Sequence, residues 1–290
     1  MKLGIIGVGF VGGATAHVLK KEHELFLYDK YKEPYNSKNN LDEIALNTEC
    51  AFICVPTPMQ NSGKIDYSNI HNSITSLLKK TEQIGRNPKD LLVIIRSTAV
   101  SGTTDELAKK YPFSFGFNPE FLREKYAIED MEKTNRVVIG ANNPEDSKKI
   151  ERIYKPIFPD ASYVFVDRKT AEMIKYVANG MLTGQVALAN EFYQICKATG
   201  VNYDSVKDVI LLDERIGRNI DVPGPDGELG FGGKCFPKDL NALIYLARES
   251  MYRPYLLEEM WRLNEKVRKD KDWLNITGAT SSNNFSGDKK

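Results

Sequence analysis

The chain has 290 residues, enough for one large or two modest domains with a real core. With 41% hydrophobic and 27% charged residues it has the composition of an ordinary globular protein, and a formal charge of +1 gives no global attraction to nucleic acid or to an anionic membrane. No apolar run approaches the roughly 20 residues that span a bilayer, and no basic leader or cleavage site precedes the first glycine motif. Neither nucleic acid nor membrane is therefore an expected partner, and the cytoplasm is the expected compartment.

The first half alternates short apolar runs with helical patterns. Lys2–Ile6, Glu24–Asp29, Ala51–Val55 and Leu91–Arg96 read as strands, and Val11–Lys21, Tyr67–Thr81 and Gly102–Tyr111 as helices. Further strands are predicted at Phe113–Phe117, Arg136–Ile139 and Ser162–Val166, with a helix near Pro144–Tyr154. Such alternation predicts an α/β fold, a Rossmann-type doubly wound parallel sheet with helices on both faces. After Asp167 the texture changes. From Lys169 to Thr199 there is no proline, apolar residues recur at Ile174, Val177, Met181, Val186, Leu188, Phe192 and Ile195, and Gly200 stands where a helix stop belongs. A helix of that extent is about 45 Å long. Ser205–Leu212, Asp239–Ser250 and Pro254–Trp273 read as further helices, so a mainly α-helical domain follows the long helix. The expected division is 1–167, 168–276, and a polar tail at 277–290 that is expected to be disordered.

Lys2–Ile6 runs directly into Gly7-Val8-Gly9-Phe10-Val11-Gly12, which opens a helix. In that context Gly7 permits a tight turn, Gly9 admits a pyrophosphate to the backbone, and Gly12 allows helix and strand to pack closely. The helix N-terminus favours phosphate. Asp29 ends the second strand, where a carboxylate accepts hydrogen bonds from ribose hydroxyls and repels a 2′-phosphate, so the expected cofactor is NAD rather than NADP. Cys50, Cys54, Cys196 and Cys235 are widely spread, with no second Cys/His pair at zinc spacing, so neither a disulfide framework nor a metal site is expected.

The most specific string is Gly230-Phe231-Gly232-Gly233-Lys234-Cys235-Phe236-Pro237-Lys238-Asp239. It resembles the cysteine motif of the UDP-glucose 6-dehydrogenases, within the wider UDP-glucose/GDP-mannose dehydrogenase family. Other segments match in the same order: Val55-Pro56-Thr57-Pro58, Ser97-Thr98-Ala99, Asn118 to Glu124, Ala171-Glu172-Met173-Ile174-Lys175 with Asn179, and Asp213 to Gly217. The resemblance implies oxidation of a sugar-nucleotide C6 alcohol to the uronate with NAD, UDP-glucose being the favoured substrate. It assigns Cys235 as the nucleophile that traps the aldehyde and carries a thioester. Lys175 is implied to assist proton removal, and Asn179 to hold a water or oxyanion. Glu120 is the implied general base for thioester hydrolysis, with Asp239 orienting the water. Cofactor contacts are implied at Phe10, Val11, Val55, Pro56, Thr57, Pro58, Ser97, Thr98, Glu124 and Lys238. Substrate contacts are implied at Phe121, Leu122, Arg123, Phe231 and Gly232, and Arg215 is similar to an arginine that reaches a neighbouring subunit, which makes a homodimer or larger assembly the expected state.

The chain also departs from the family pattern. Relatives continue into a further nucleotide-binding domain, Lys234 replaces a serine or histidine, and Pro223–Leu229 enlarges the approach to the cysteine. Two other readings stand beside the first. One is a β-hydroxyacid dehydrogenase with a single hydride transfer and no need of Cys235; the other is a non-catalytic nucleotide-binding relative.

Overall fold

The computed structural model describes residues 1–281, apart from the side chain of Lys38. They form two compact units, Met1–Thr57 with Tyr67–Lys175, and Pro58–Asp66 with the chain from Tyr176 onward. In the first unit β1 (Lys2–Ile6), β2 (Glu24–Tyr28), β3 (Cys50–Ile53), β4 (Leu92–Ile95), β5 (Ser114–Phe117), β6 (Arg136–Gly140) and β7 (Ser162–Val166) make one sheet in the order β2-β1-β3-β4-β5-β6-β7. Around it lie α1 (Phe10–Leu19), α2 (Lys38–Asn47), α3 (Ser68–Gln83), α4 (Thr103–Lys110), α5 (Ala127–Glu132) and α6 (Pro144–Tyr154).

The central strands β1, β3, β4, β5 and β6 are buried on both faces, while the edge strands β2 and β7 are partly exposed, and side chains alternate between the faces as a period of two requires. Ile6, Ile53, Val93 and Ile95 pack with Ile44 of α2, Ile70 and Ile74 of α3 and Leu107 of α4. Leu3, Ile5, Phe52 and Ile94 pack with Val18 of α1 and Ile150 and Tyr154 of α6. The expected parallel sheet is parallel except at one pair: β5 and β6 run antiparallel, meeting at Phe117 and Gly140. The reason lies in the connection. Between them the chain makes only a 3-10 turn (Glu124–Tyr126) and the six-residue α5, not the long crossover helix that a parallel neighbour needs. Two helices escaped the periodicity. α2 carries few apolar residues, and they do not share one side: Leu41, Ile44 and Ala45 are buried while Leu46 is exposed; α5 is too short to express a period.

The long helix α7 (Arg168–Thr199) begins in the first unit, and the boundary falls inside it, between Lys175 and Tyr176. Asp167 caps its start by accepting the Thr170 N–H at 3.0 Å and hydroxyl at 2.6 Å. Gly200 ends it at φ +73°, with Val201 N–H donating to Cys196 C=O. In the second unit the face of α7 that is buried carries Tyr176, Asn179, Thr183, Ala187 and Asn190. Of the apolar stripe that announced the helix, Val177, Met181, Leu188, Phe192 and Ile195 are exposed, while Ile174 and Val186 are half-buried against the two cores.

α8 (Tyr203–Ile210), α9 (Phe236–Glu249) and α10 (Tyr255–Val267) complete the second unit. Its core joins Ala187 of α7, Leu240 and Ile244 of α9 and Met260 of α10 around Phe231. α9 starts at Phe236, three residues before the expected Asp239, because Pro237 is accommodated in a first turn, where its missing N–H costs nothing. α10 stops at Val267 rather than running to Trp273: Arg268 is extended, and Trp273 sits in a separate 3-10 turn, buried against Trp261 at 5.5 Å between ring centroids. Of the expected tail, residues 282–290 lie outside the described residues. Ala279 and Thr280 are buried, and Met59 N–H donates to Ala279 C=O while Ser281 N–H donates to Met59 C=O.

Candidate functional site

The glycine turn sits at the switch point of the sheet, where β1 is flanked by β2 on one side and β3 on the other. Open α/β sheets bind ligands at such points, beyond the carboxyl ends of the strands. Gly7 has φ +93°, and a Cβ there would approach Cys54 C=O to 2.7 Å; one on Gly12 would collide with Gly7 C=O at 1.9 Å. A Cβ on Gly9 meets nothing within 4 Å. The glycines at 7 and 12 are thus required by the fold, whereas Gly9, exposed at the head of α1, leaves open the space that a pyrophosphate needs. The residues fit an NAD-type cofactor on this count.

Asp29 braces the same turn. One carboxylate oxygen accepts Val8 N–H at 2.8 Å; the other accepts Tyr31 N–H at 2.9 Å and Lys32 N–H at 3.1 Å, while Lys32 Nζ donates to Val8 C=O. A carboxylate has about four acceptor positions, so three backbone bonds leave capacity for a ribose hydroxyl. Val55 and Pro56 are half-buried and Thr57 is buried. Ser97 donates its hydroxyl to Val55 C=O at 2.7 Å, tying the ends of β3 and β4 together beside half-buried Thr98. Phe10 and Val11 are half-buried in the first turn of α1.

The segment after β5 is held by Asn118. Its backbone N–H donates to Ile95 C=O and its Nδ2 to Val138 C=O, so the residue ties β4 to β6 through backbone and side chain together. Buried Arg96 donates to the Asn118 carboxamide and to the Tyr154 hydroxyl at 3.2 Å. This anchors Glu120, which accepts Leu122 N–H at 2.7 Å and pairs with Lys175 Nζ at 2.9 Å. Phe121 lies beneath the Arg136 guanidinium at 4.3 Å, with Lys175 Nζ 5.8 Å from the same ring. Arg123 is exposed and bonded to Asp130, and Glu124 is exposed beyond it. Nearby, fully buried Glu172 accepts Gly102 N–H, Thr104 N–H and the Thr104 hydroxyl, capping α4; burial pushes its carboxyl up to about 7.

In the second unit Cys235 is the N-cap residue of α9, and its C=O accepts Asp239 N–H at 2.8 Å. A helix N-terminus is where thiolates are stabilised. Behind it runs a buried network: Lys238 Nζ donates to Asp239 Oδ1 at 2.6 Å, and Asn179 Nδ2 donates to Asp239 Oδ2 at 2.6 Å. Cys50 and Cys54, by contrast, lie in the sheet core, and burial pushes both thiols up to about 12. None of the four cysteines is in a disulfide, and among the described residues no group of three His, Cys, Asp or Glu side chains is placed to hold a metal.

Residues 29–158 match the NAD binding domain, and residues 169–266 the central domain, of the UDP-glucose/GDP-mannose dehydrogenase family. The chain belongs to that family. It is 34% identical over 225 residues to a UDP-glucose 6-dehydrogenase of Rickettsia prowazekii, covering 76% of this chain and 50% of that protein. It is 37% identical over 226 residues to the Rickettsia felis enzyme of the same name, covering 76% and 48%. A solved UDP-glucose dehydrogenase from the hyperthermophilic archaeon Pyrobaculum islandicum superimposes with a TM-score of 0.78 at 28% identity, covering 91% of this chain and 68% of that one. The chain spans about half the length of the curated relatives it matches.

In this family member the geometry brings together Glu120 with Lys175, and Asn179 with Lys238 and Asp239. Arg215 stands apart, exposed and bonded to Asp213 at 2.5 Å. Phe231 is 3% exposed, its ring in the helical core and both its backbone polar groups bonded to Asn264. Asn118 and Glu172, matched within the family motifs but given no role there, support these groups, as do Arg96, Asn190, Asn264, Arg268 and Asp272, which the sequence did not single out. Their signal is faint: Arg96 and Asn118 are polar residues beside apolar buried strands, whereas Arg268 and Asp272 sit in a charged run that looks like an ordinary solvated segment until their partners are known.

Proposed function

We propose that the chain oxidises the C6 alcohol of UDP-glucose to the uronate, giving UDP-glucuronate with NAD through a thiohemiacetal and then a thioester on Cys235. The observation carrying this reading is a thiol at the head of α9 backed by the Lys238–Asp239–Asn179 network. A β-hydroxyacid dehydrogenase, with one hydride transfer, has no use for that arrangement.

NAD would be held by Gly7, Gly9, Phe10, Val11, Gly12 and Asp29, by Val55-Pro56-Thr57-Pro58, Ser97 and Thr98, and by Glu124 and Lys238. When bound it supplies the hydride acceptor for each oxidation. Lys175 helps draw the proton from the C6 hydroxyl and steadies the charge left on oxygen. Cys235 Sγ adds to the aldehyde carbon, so that the second oxidation leaves a C–S acyl bond. Glu120 then takes a proton from water as it attacks the thioester, with Asp239 and Asn179 orienting that water. Phe121, Leu122, Arg123, Gly232 and Arg215 are the proposed substrate contacts; Phe231, expected among them, has its ring in the helical core and both backbone polar groups bonded to Asn264, and so supports the loop instead. Residues 1–167 serve as the cofactor domain, 168–276 as the domain carrying the thiol.

The exposed stripe on α7 supports a dimer or larger assembly, since Val177, Met181, Leu188, Phe192 and Ile195 form a continuous apolar face at helical spacing. Arg215, in the proposed assembly, reaches the partner's substrate. Light scattering showing a fully active monomer would contradict it. The absence of disulfides supports a cytoplasmic site of action, and among the described residues no helix is long and apolar enough to cross a membrane.

The deciding experiment offers purified protein NAD with UDP-glucose, GDP-mannose and UDP-N-acetylmannosamine and counts NADH. Two NADH per UDP-glucose is the expected result. Release of one NADH per sugar, or none from any of the three, sinks the reading.

A further inference from the structure

The glycines before Cys235 leave room for the protein's own side chains. A Cβ on Gly230 would lie 2.2 Å from Asn264 Oδ1, and one on Gly232 would lie 2.1 Å from a terminal nitrogen of Arg268. Asn264, 1% exposed on α10, accepts Phe231 N–H at 2.7 Å and donates Nδ2 to Phe231 C=O at 3.0 Å. One carboxamide thus satisfies both backbone groups of a buried residue, as a neighbouring strand would. Asn190 on α7 accepts Gly230 N–H at 2.8 Å, and both carboxylate oxygens of Asp272 accept Gly233 N–H, at 2.9 and 3.1 Å. Arg268 joins these supports, reaching Asp272 at 3.4 Å and Asp226 at 2.8 Å. Asp226 belongs to the enlarged Pro223–Leu229 approach, so that segment is anchored to the same arginine.

We infer that Asn264, Arg268 and Asp272 are positioning residues for Cys235: they set the path of residues 230–233 and so the direction in which the thiol leaves the head of α9. The N–H groups of Gly230, Phe231 and Gly233 are each bonded to a side chain from another element. With its amides held, a loop rich in glycine loses the freedom that glycine otherwise gives it. The bonded stretch ends two residues before the thiol, so little slack remains to be taken up at Lys234. A nucleophile held this way is pre-organised, and misplacement of about 1 Å in such a site costs on the order of a hundredfold in rate.

The inference rests on Cys235 being the reacting thiol, but its test needs neither cofactor nor sugar. The full chain is treated with iodoacetamide and each cysteine followed by peptide mass spectrometry. Half-buried Cys196 on α7 and buried Cys50 and Cys54 report any general loosening. Asn264→Ala and Asp272→Ala should each slow Cys235 alkylation relative to Cys196 by about tenfold, leaving the other three cysteines at wild-type rates. Asp272→Asn, which keeps an oxygen for Gly233 N–H, should restore most of the rate. An unchanged Cys235 rate in the folded variants overturns the inference, and so does a change shared by Cys50 and Cys54. Asp272 is partly exposed, so the Asp272 pair decides the matter if Asn264→Ala does not fold. Loss of the proposed oxidation in wild-type protein leaves this result standing, and the converse holds as well.

Discussion

Lys175 Nζ lies 2.9 Å from Glu120 Oε1, and each side chain is 5% exposed. Each charge is buried, and removing one member of the pair takes the opposing charge away from the other. Glu120→Gln and Lys175→Met should therefore each cost about 3 kcal/mol, with the double variant costing clearly less than their sum. Urea denaturation of the four proteins checks it. In turnover, Glu120→Gln should also slow thioester hydrolysis, so that intact-protein mass spectrometry finds a sugar adduct on Cys235.

Cys235→Ser keeps a hydroxyl of similar size but removes the soft nucleophile. The first oxidation should persist in part while the second stalls, and NADH per sugar should fall from two towards one. Two NADH per sugar at the normal rate would eliminate the thioester and return the chain to one-hydride chemistry.

Glu172 gives a pH signature. Its folded carboxyl titrates near 7, raised by burial from the ordinary 4.5. A raised carboxyl favours the protonated folded form, so its contribution is fully present below about pH 4.5 and is lost as pH rises through 7. Relative to Glu172→Gln, wild type should lose about 3 kcal/mol between pH 4.5 and 8. Melting curves at several pH values measure the difference, and a constant gap between the two proteins would refute the assignment.

Met251 stands at φ +59° after α9, its side chain 95% exposed. Tyr252 N–H donates to Ala247 C=O and Met251 N–H to Arg248 C=O, a helix end that prefers glycine. Met251→Gly gives up no buried contact and relieves a left-handed strain of about 1–2 kcal/mol, partly offset by glycine's greater freedom when unfolded. A net gain of roughly 0.5 kcal/mol is expected, read by chemical denaturation.

Asp29, with its spare acceptor position, should make NAD bind more tightly than NADP. Asp29→Ala should narrow that gap and weaken both, because the Val8, Tyr31 and Lys32 amides lose their acceptor. Fluorescence titration of both cofactors tests it, and equal or tighter binding of NADP to wild type would remove Asp29 from the ribose site.

The seven strands, the glycine turn and the long helix were legible along the chain because each is a local matter. A strand buried on both faces must be an apolar run, a turn at φ +93° must use glycine, and a helix capped by Asp167 and stopped at Gly200 carries its own punctuation. The cysteine string was legible through its likeness to a family. What periodicity could not tell was which side of a helix would be covered: on α7 most of the apolar stripe is exposed and Tyr176, Asn179, Thr183, Ala187 and Asn190 are buried. Nor could spacing tell that Glu120 meets Lys175, or that the gaps at Gly230 and Gly232 admit Asn264 and Arg268. Those contacts join residues 34 or more positions apart, and a missing Cβ looks the same in a sequence whether a cofactor, a backbone or a side chain fills its place. Only packing decides between them, because two atoms cannot share a volume and a buried polar group must find a partner wherever the fold brings one.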